Sequence, residues 1–223
     1  MRTLIATFAS VWLFAATAHA QAPAAAAAPV KAAAPAKTPE VKAPEVKTEA
    51  ATNPVIEMQT TEGTIKLELD AKAAPVSVKN FVGYVEDKFY DGLYFHRVIK
   101  DFMVQGGGYT VEGGKLKEKA TKAPIINEAK NGLKNDRGTI AMARTSDPNS
   151  ATAQFFINHV NNDRLNPPSF DGHGYAVFGK VIEGMDVVDK IAAMKTGERY
   201  EMPDFPMTDV KIVTAKVLKP QVN

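Results

Sequence analysis

The chain has 223 residues with a formal net charge of +2; it is 45% hydrophobic, 23% charged and contains no cysteine. That composition fits a soluble globular protein and excludes a disulfide framework, a thiol nucleophile and a cysteine-linked lipid. With Arg2 and the charges of residues 21–53 set aside, the remainder is formally neutral. Neutralising phosphates needs a basic surface, so nucleic acid is not an expected partner.

The first twenty residues read as an export signal. Arg2 gives a basic start, Leu4 to Ala16 is an apolar run, and Ala18-His19-Ala20 supplies small residues for cleavage before Gln21. The alternative is an uncleaved anchor, but the run falls short of the roughly 20 apolar residues that span a bilayer. Residues 21–53 are almost entirely Ala, Pro, Lys, Glu and Val, with Pro23, Pro29, Pro35, Pro39 and Pro44 recurring. Regular proline blocks long helices and little apolar mass is available to bury, so a disordered, partly polyproline-II linker is expected. It reads equally as a tether or as a passive tail. The remaining 54–223, about 170 residues, is long enough to bury a core without disulfides.

From Pro54 the pattern changes. Val55 to Thr60 and Thr64 to Leu69 alternate with period two around Glu62-Gly63, which predicts a hairpin. Pro75 suits the first turn of a helix whose apolar stripe is Val78, Phe81, Val82 and Val85. Asp91-Gly92 ends that element and feeds a strand over Leu93 to Val98. Further strands are expected at Phe102–Gly106, Thr139–Ala143, Phe155–Asn158, Tyr175–Val181 and Thr208–Leu218. A second helix fits Met185–Ala193 after a break at Gly184, with Val187, Val188 and Ile191 inward. Many short strands with two helices suggest a mainly β fold, a closed antiparallel barrel capped at its ends.

Two segments carry the chemistry. Phe95-His96-Arg97-Val98-Ile99-Lys100-Asp101-Phe102-Met103-Val104-Gln105-Gly106-Gly107 and Ala153-Gln154-Phe155-Phe156-Ile157-Asn158 are alternating runs with one face buried. Arg97, Phe102, Met103 and Gln105 together combine a cation, two large apolar groups and an amide. An open groove that grips a short apolar peptide by its backbone needs that mixture. Taken singly, Arg97 reads as a solvated edge residue, and Phe102, Met103, Phe155 and Phe156 as core; Phe155 faces away from Phe156 because neighbouring strand positions point oppositely.

These two runs, with Tyr175-Ala176-Val177-Phe178-Gly179-Lys180 in the same order, resemble the signature segments of the cyclophilins, the peptidyl-prolyl cis-trans isomerases, over roughly residues 55 to 218. The resemblance implies a closed eight-stranded antiparallel β-barrel capped by two α-helices, no cofactor, no metal, and proline-containing unfolded or flexible polypeptides as partners. It implies Arg97 as the catalytic arginine, with Gln105 steadying it and bonding the peptide backbone. Phe102, Met103, Phe156 and Leu165 would form the proline pocket, Ala143 and Gln154 the groove wall, and Tyr175 a pocket rim where eukaryotic members carry histidine. His96 would be a support rather than an acid or base. Arg164 stands where eukaryotic members place a tryptophan that donates a hydrogen bond to cyclosporin, so weak binding of that drug is expected. An export signal on a bacterial-type member implies the periplasm, with no membrane insertion after cleavage and a monomer as the default.

Other chemistries fail on spacing. Gly106-Gly107-Gly108 and Gly113-Gly114-Lys115 do not make a phosphate loop, because Leu116 replaces the required Ser or Thr. No His-Glu-x-x-His occurs, and His96, His159 and His173 lack ligand spacing. No Gly-x-Ser-x-Gly elbow is present. The function expected is acceleration of X-Pro rotation in exported proteins during folding. The rivals are a chaperone-like module that only binds proline segments and a surface-tethered scaffold.

Overall fold

The computed structural model describes residues 53–218. The signal peptide expected at 1–20, and all but the last residue of the 21–53 linker, lie outside the described residues. Period-two alternation becomes β1 (Val55–Thr60) and β2 (Gly63–Leu69), an antiparallel hairpin in register from Val55–Glu68 to Thr60–Gly63. Thr60 closes the turn: its Oγ1 donates to the Gly63 carbonyl at 2.7 Å and accepts from the Glu62 and Gly63 N–H groups. A Cβ at Gly63, whose φ is +145°, would sit 2.7 Å from Val187, so the turn requires glycine there.

Helix α1 (Pro75–Glu86) begins at the expected proline and buries Ser77, Val78, Phe81, Tyr84 and Val85. Ala74 has no side chain to cap it. Instead Glu128, far along the chain, accepts the Val76 and Ser77 N–H groups at 3.0 and 2.7 Å, satisfying donors that a helix start leaves open. Strands β3 (Phe95–Ile99) and β4 (Met103–Gly106) follow, then a small hairpin of β5 (Tyr109–Glu112) and β6 (Lys115–Glu118). After a long loop come β7 (Thr139–Met142), β8 (Phe155–Asn158) and β9 (Val177–Glu183). Helix α2 (Met185–Ala192) buries Val188 and Ile191, and a second hairpin, β10 (Thr196–Arg199) with β11 (Met202–Pro206), leads to β12 (Ile212–Leu218).

Eight strands form one antiparallel sheet in the order β12-β1-β2-β9-β7-β8-β4-β3. The strand count, direction and two helices agree with expectation, but the sheet is not closed: it curls through 235°. Its edge strands β3 and β12 share no ladder. They are linked by a single bridge, Tyr94 to Lys211, and by the bonds Phe95 N–H to Val210 O (3.0 Å) and Ile212 N–H to Leu93 O (2.8 Å). The flank of β3 is covered by β11, which protects an edge that would otherwise be free to pair. Alternation predicts which residues line a strand but not whether the last two edges run side by side, so closure was not readable from it.

The concave face of the sheet holds the main core. Phe155 and Phe178 are fully buried and pack on Phe81 of α1 with ring centroids 5.5 and 5.2 Å apart. Each such ring contributes roughly 2 kcal/mol by burial. Among the described residues no helix is long and apolar enough to cross a membrane.

Candidate functional site

The opposite face of β3, β4, β8 and β7 carries the candidate site. Register places Arg97 beside Gln105, Gln105 beside Phe156, and Phe156 beside Ala141. The period-two pleat turns Met103, Gln105 and Phe156 to this face while Val104, Phe155 and Ile157 join the main core. Met103, Ala141, Phe156, Leu165 and Val177 make a second apolar cluster, with Phe102, Ala143 and Tyr175 packed partly against it. It opens into a cavity of about 250 Å³ lined by Arg97, Phe102, Met103, Gln105, Ala143, Arg144, Phe156, Leu165, Phe170 and Tyr175.

Eight of the nine residues named from the sequence therefore meet around one cavity. Gln154 does not line it but stands directly behind: Gln105 Nε2 donates to Gln154 Oε1 at 3.1 Å, and Ala143 N–H donates to the Gln154 carbonyl at 3.0 Å. Gly108 leaves room for this side chain, since a Cβ there would meet Gln154 at 2.7 Å. Arg97 is 40% exposed on the rim; its Nε lies 3.9 Å from Asp204 Oδ2 on β11. Among the described residues its guanidinium makes no hydrogen bond to protein, so its N–H groups remain available to a bound chain.

Two features around the cavity were not assigned from the sequence. Arg144, 2% exposed, is paired with Asp171, donates to Gly174 O from Nε at 3.2 Å and from Nη2 at 2.8 Å, and lies 4.3 Å from the Tyr175 ring centre. Burial alone would raise the Asp171 carboxyl. Its bond from Arg144 and the N–H groups of His173 and Gly174 outweigh that and hold it at about 2. This ion pair ties the 171–175 loop to the end of β7. The other feature is an amide network. Asn158 Nδ2 donates to Asn135 Oδ1 at 3.2 Å, Asn162 Nδ2 to Asn158 Oδ1 at 2.7 Å, and Asn135 Nδ2 to Asn166 Oδ1 at 3.1 Å. It braces the 3₁₀ turn Asp163–Leu165 that presents Leu165, whose carbonyl accepts the Tyr175 N–H at 3.0 Å. The density of asparagines at 158, 161, 162 and 166 was the available signal. A buried arginine has none, because a lone Arg is ordinarily solvated.

His96, just before Arg97, is 2% exposed and packs edge-on against Tyr109 at 4.7 Å. Burial, reinforced by the Arg97 charge, lowers its pKa to about 4. It is neutral at pH 7, and its buried Nδ1 has no partner among the described residues. The unfolded chain protonates near the ordinary value of 6.5 and the folded one only near 4. Stability from this site is therefore whole above about pH 6.5 and is lost as pH falls toward 4. Between pH 7.5 and 4.5, unfolding in denaturant should show the native protein losing about 2 kcal/mol more than His96→Gln. Equal losses in the two proteins would contradict this.

Among the described residues no group of three His, Cys, Asp or Glu side chains could hold a metal ion. A small apolar pocket with guanidinium and amide groups on its rim can take a compact apolar group and hydrogen-bond a chain beside it. The family profile described as "Cyclophilin type peptidyl-prolyl cis-trans isomerase/CLD" matches residues 55–217. The chain therefore belongs to the cyclophilin family and is a peptidyl-prolyl cis-trans isomerase. It is 53% identical to a peptidyl-prolyl cis-trans isomerase of Acinetobacter baylyi, over 77% of this chain and 89% of that one. It is 52% identical to peptidyl-prolyl cis-trans isomerase B of Escherichia coli, over 73% of this chain and 99% of that one. Among solved structures it resembles a Cryptosporidium parvum cyclophilin type isomerase obtained in the presence of the dipeptide Ala-Pro. The TM-score is 0.60 and the identity 26%, covering 74% of this chain and 99% of that one.

Proposed function

We propose that the chain is an exported, monomeric isomerase of the periplasm, which turns X-Pro bonds in exported proteins during folding and uses Arg97 as its main catalytic group. The observation that carries this is the convergence of Arg97, Gln105, Phe102, Met103, Phe156 and Leu165 on one cavity. Export is supported by the basic, apolar and small-residue order of residues 1–20.

Rotation about X-Pro is slow because amide resonance must be broken, a barrier of roughly 18–20 kcal/mol. Acceleration of about 10⁵-fold needs only some 7 kcal/mol, and no covalent step. The apolar floor of Phe102, Met103, Phe156 and Leu165 receives the proline ring and disfavours the polarised planar amide. In the twisted state the nitrogen regains a lone pair, and Arg97 on the rim donates to it. Gln105, tied to Gln154, is held in place to bond the flanking backbone. The Ala-Pro dipeptide present with the Cryptosporidium relative fits a substrate of this kind.

The test is isomerisation of a short X-Pro peptide by the full chain, beside fractionation of expressing bacterial cells. Rapid turnover, with a processed protein released from the periplasm, is expected. A folded protein that binds the peptide without turning it over would leave only the holding function, and an unprocessed cytoplasmic protein would remove the exported one.

A further inference from the structure

Next to the proline pocket lies a larger cavity of about 570 Å³ that shares Phe102, Leu165 and Phe170 with it and adds Ile99. Its volume is in the range of ligand sites. Rim charges of both signs, Lys100 and Arg164 against Asp101 and Asp163, balance, and with Asn161 and Asn162 they border an apolar part made by Ile99, Phe102, Leu165 and Phe170. Phe170 is 71% exposed, more than any other large hydrophobic residue described. It is not a loose tip. On one side Ser169 donates its N–H to Asn166 O at 2.6 Å and its Oγ to Arg164 O at 2.8 Å. On the other side Asp171 is paired with buried Arg144. A pinned loop that presents an aromatic ring to solvent, between two connected cavities, is built to be covered by something apolar.

We propose that this cavity is a second subsite, filled by an aromatic side chain that follows the substrate proline and packs on Phe170 and Leu165. The inference rests on the reading of the neighbouring pocket as the proline site. The amide that rotates lies before the proline and must face Arg97 and Gln105, which line only the smaller pocket. The chain after the proline then leaves past Phe102 and Leu165, into the larger cavity.

Blocked Ala-Ala-Pro-Xaa-Ala peptides, with Phe, Ala or Glu as Xaa, test this on the full chain by exchange NMR. The Phe peptide should show a kcat/KM about fivefold above the Ala peptide, in line with one added aromatic pair. That ratio should fall to about one in Phe170→Ala and persist in Phe170→Tyr. The inference is overturned by a native ratio near one, by a ratio that survives in Phe170→Ala, or by a preference that appears only when the aromatic residue precedes the proline. Absence of turnover with every peptide would instead overturn the reading of the proline site itself.

Discussion

Arg97→Ala is expected to lower kcat/KM for X-Pro peptides by about 10²–10³, the usual effect of removing one donor aimed at the transition state. The loss should fall on kcat more than on KM, because the donor is proposed to act on the twisted amide and not on the planar one. The fold should survive. Arg97 is half in solvent, and its one ion contact, 3.9 Å to Asp204, is of the exposed kind that contributes roughly 0–1 kcal/mol. Arg97→Lys should recover little, since an ammonium cannot present several fixed donors along a peptide. Circular dichroism beside peptide kinetics makes the measurement. A well-folded Arg97→Ala protein within about threefold of native activity would end the proposed role, as a lost transition-state donor costs far more.

Arg144→Met is expected to have the largest effect on stability at the site. The arginine is 2% exposed, so its removal leaves the Asp171 carboxylate and the Gly174 carbonyl without their main donor. Losing the charged donor of this part-buried pair costs about 2 kcal/mol, which for a domain of this size lowers Tm by roughly 6 °C. The same change unpins the loop that carries Phe170 and Tyr175, so KM for peptides should rise. Acid unfolding gives an independent reading. The Asp171 carboxyl sits at about 2 against an ordinary 3.8, so its contribution is present above about pH 4 and is lost as pH falls toward 2. Arg144→Met should show a smaller acid limb, since only the His173 and Gly174 N–H groups would still hold that carboxyl down. A Tm within about 2 °C of native, equivalent to less than 1 kcal/mol, would show that the pair does not anchor the loop.

Much of the fold was legible because strands and helices are local. The runs at Val55–Leu69, Phe95–Gly106 and Phe155–Asn158 alternate with the pleat and became β1 and β2, β3 and β4, and β8, with apolar members facing the core or the pocket. The separation of Phe155 from Phe156, one into the core and one into the pocket, followed from the same two-residue period. The β5–β6 and β10–β11 hairpins were missed. Their turns use Gly113-Gly114 and the left-handed pair Tyr200 and Glu201; β5, β6 and β10 have no buried face, and the two prolines of β11 mask a strand that buries Phe205. Missing β11 also meant missing Asp204, the only ion partner of Arg97 among the described residues.

By itself, then, the sequence determined most of the elements and their inward faces, because residue type and period act over a few neighbours; the set of residues that converge on the pocket came from its resemblance to the cyclophilins. Tertiary structure alone decided that the sheet stays open between β3 and β12, that Arg144 is buried against Asp171, and that Gln154 stands behind Gln105. It also set Phe170 between two cavities. Each of these depends on segments distant along the chain meeting in space, and on which polar groups find partners there. No local pattern records that meeting.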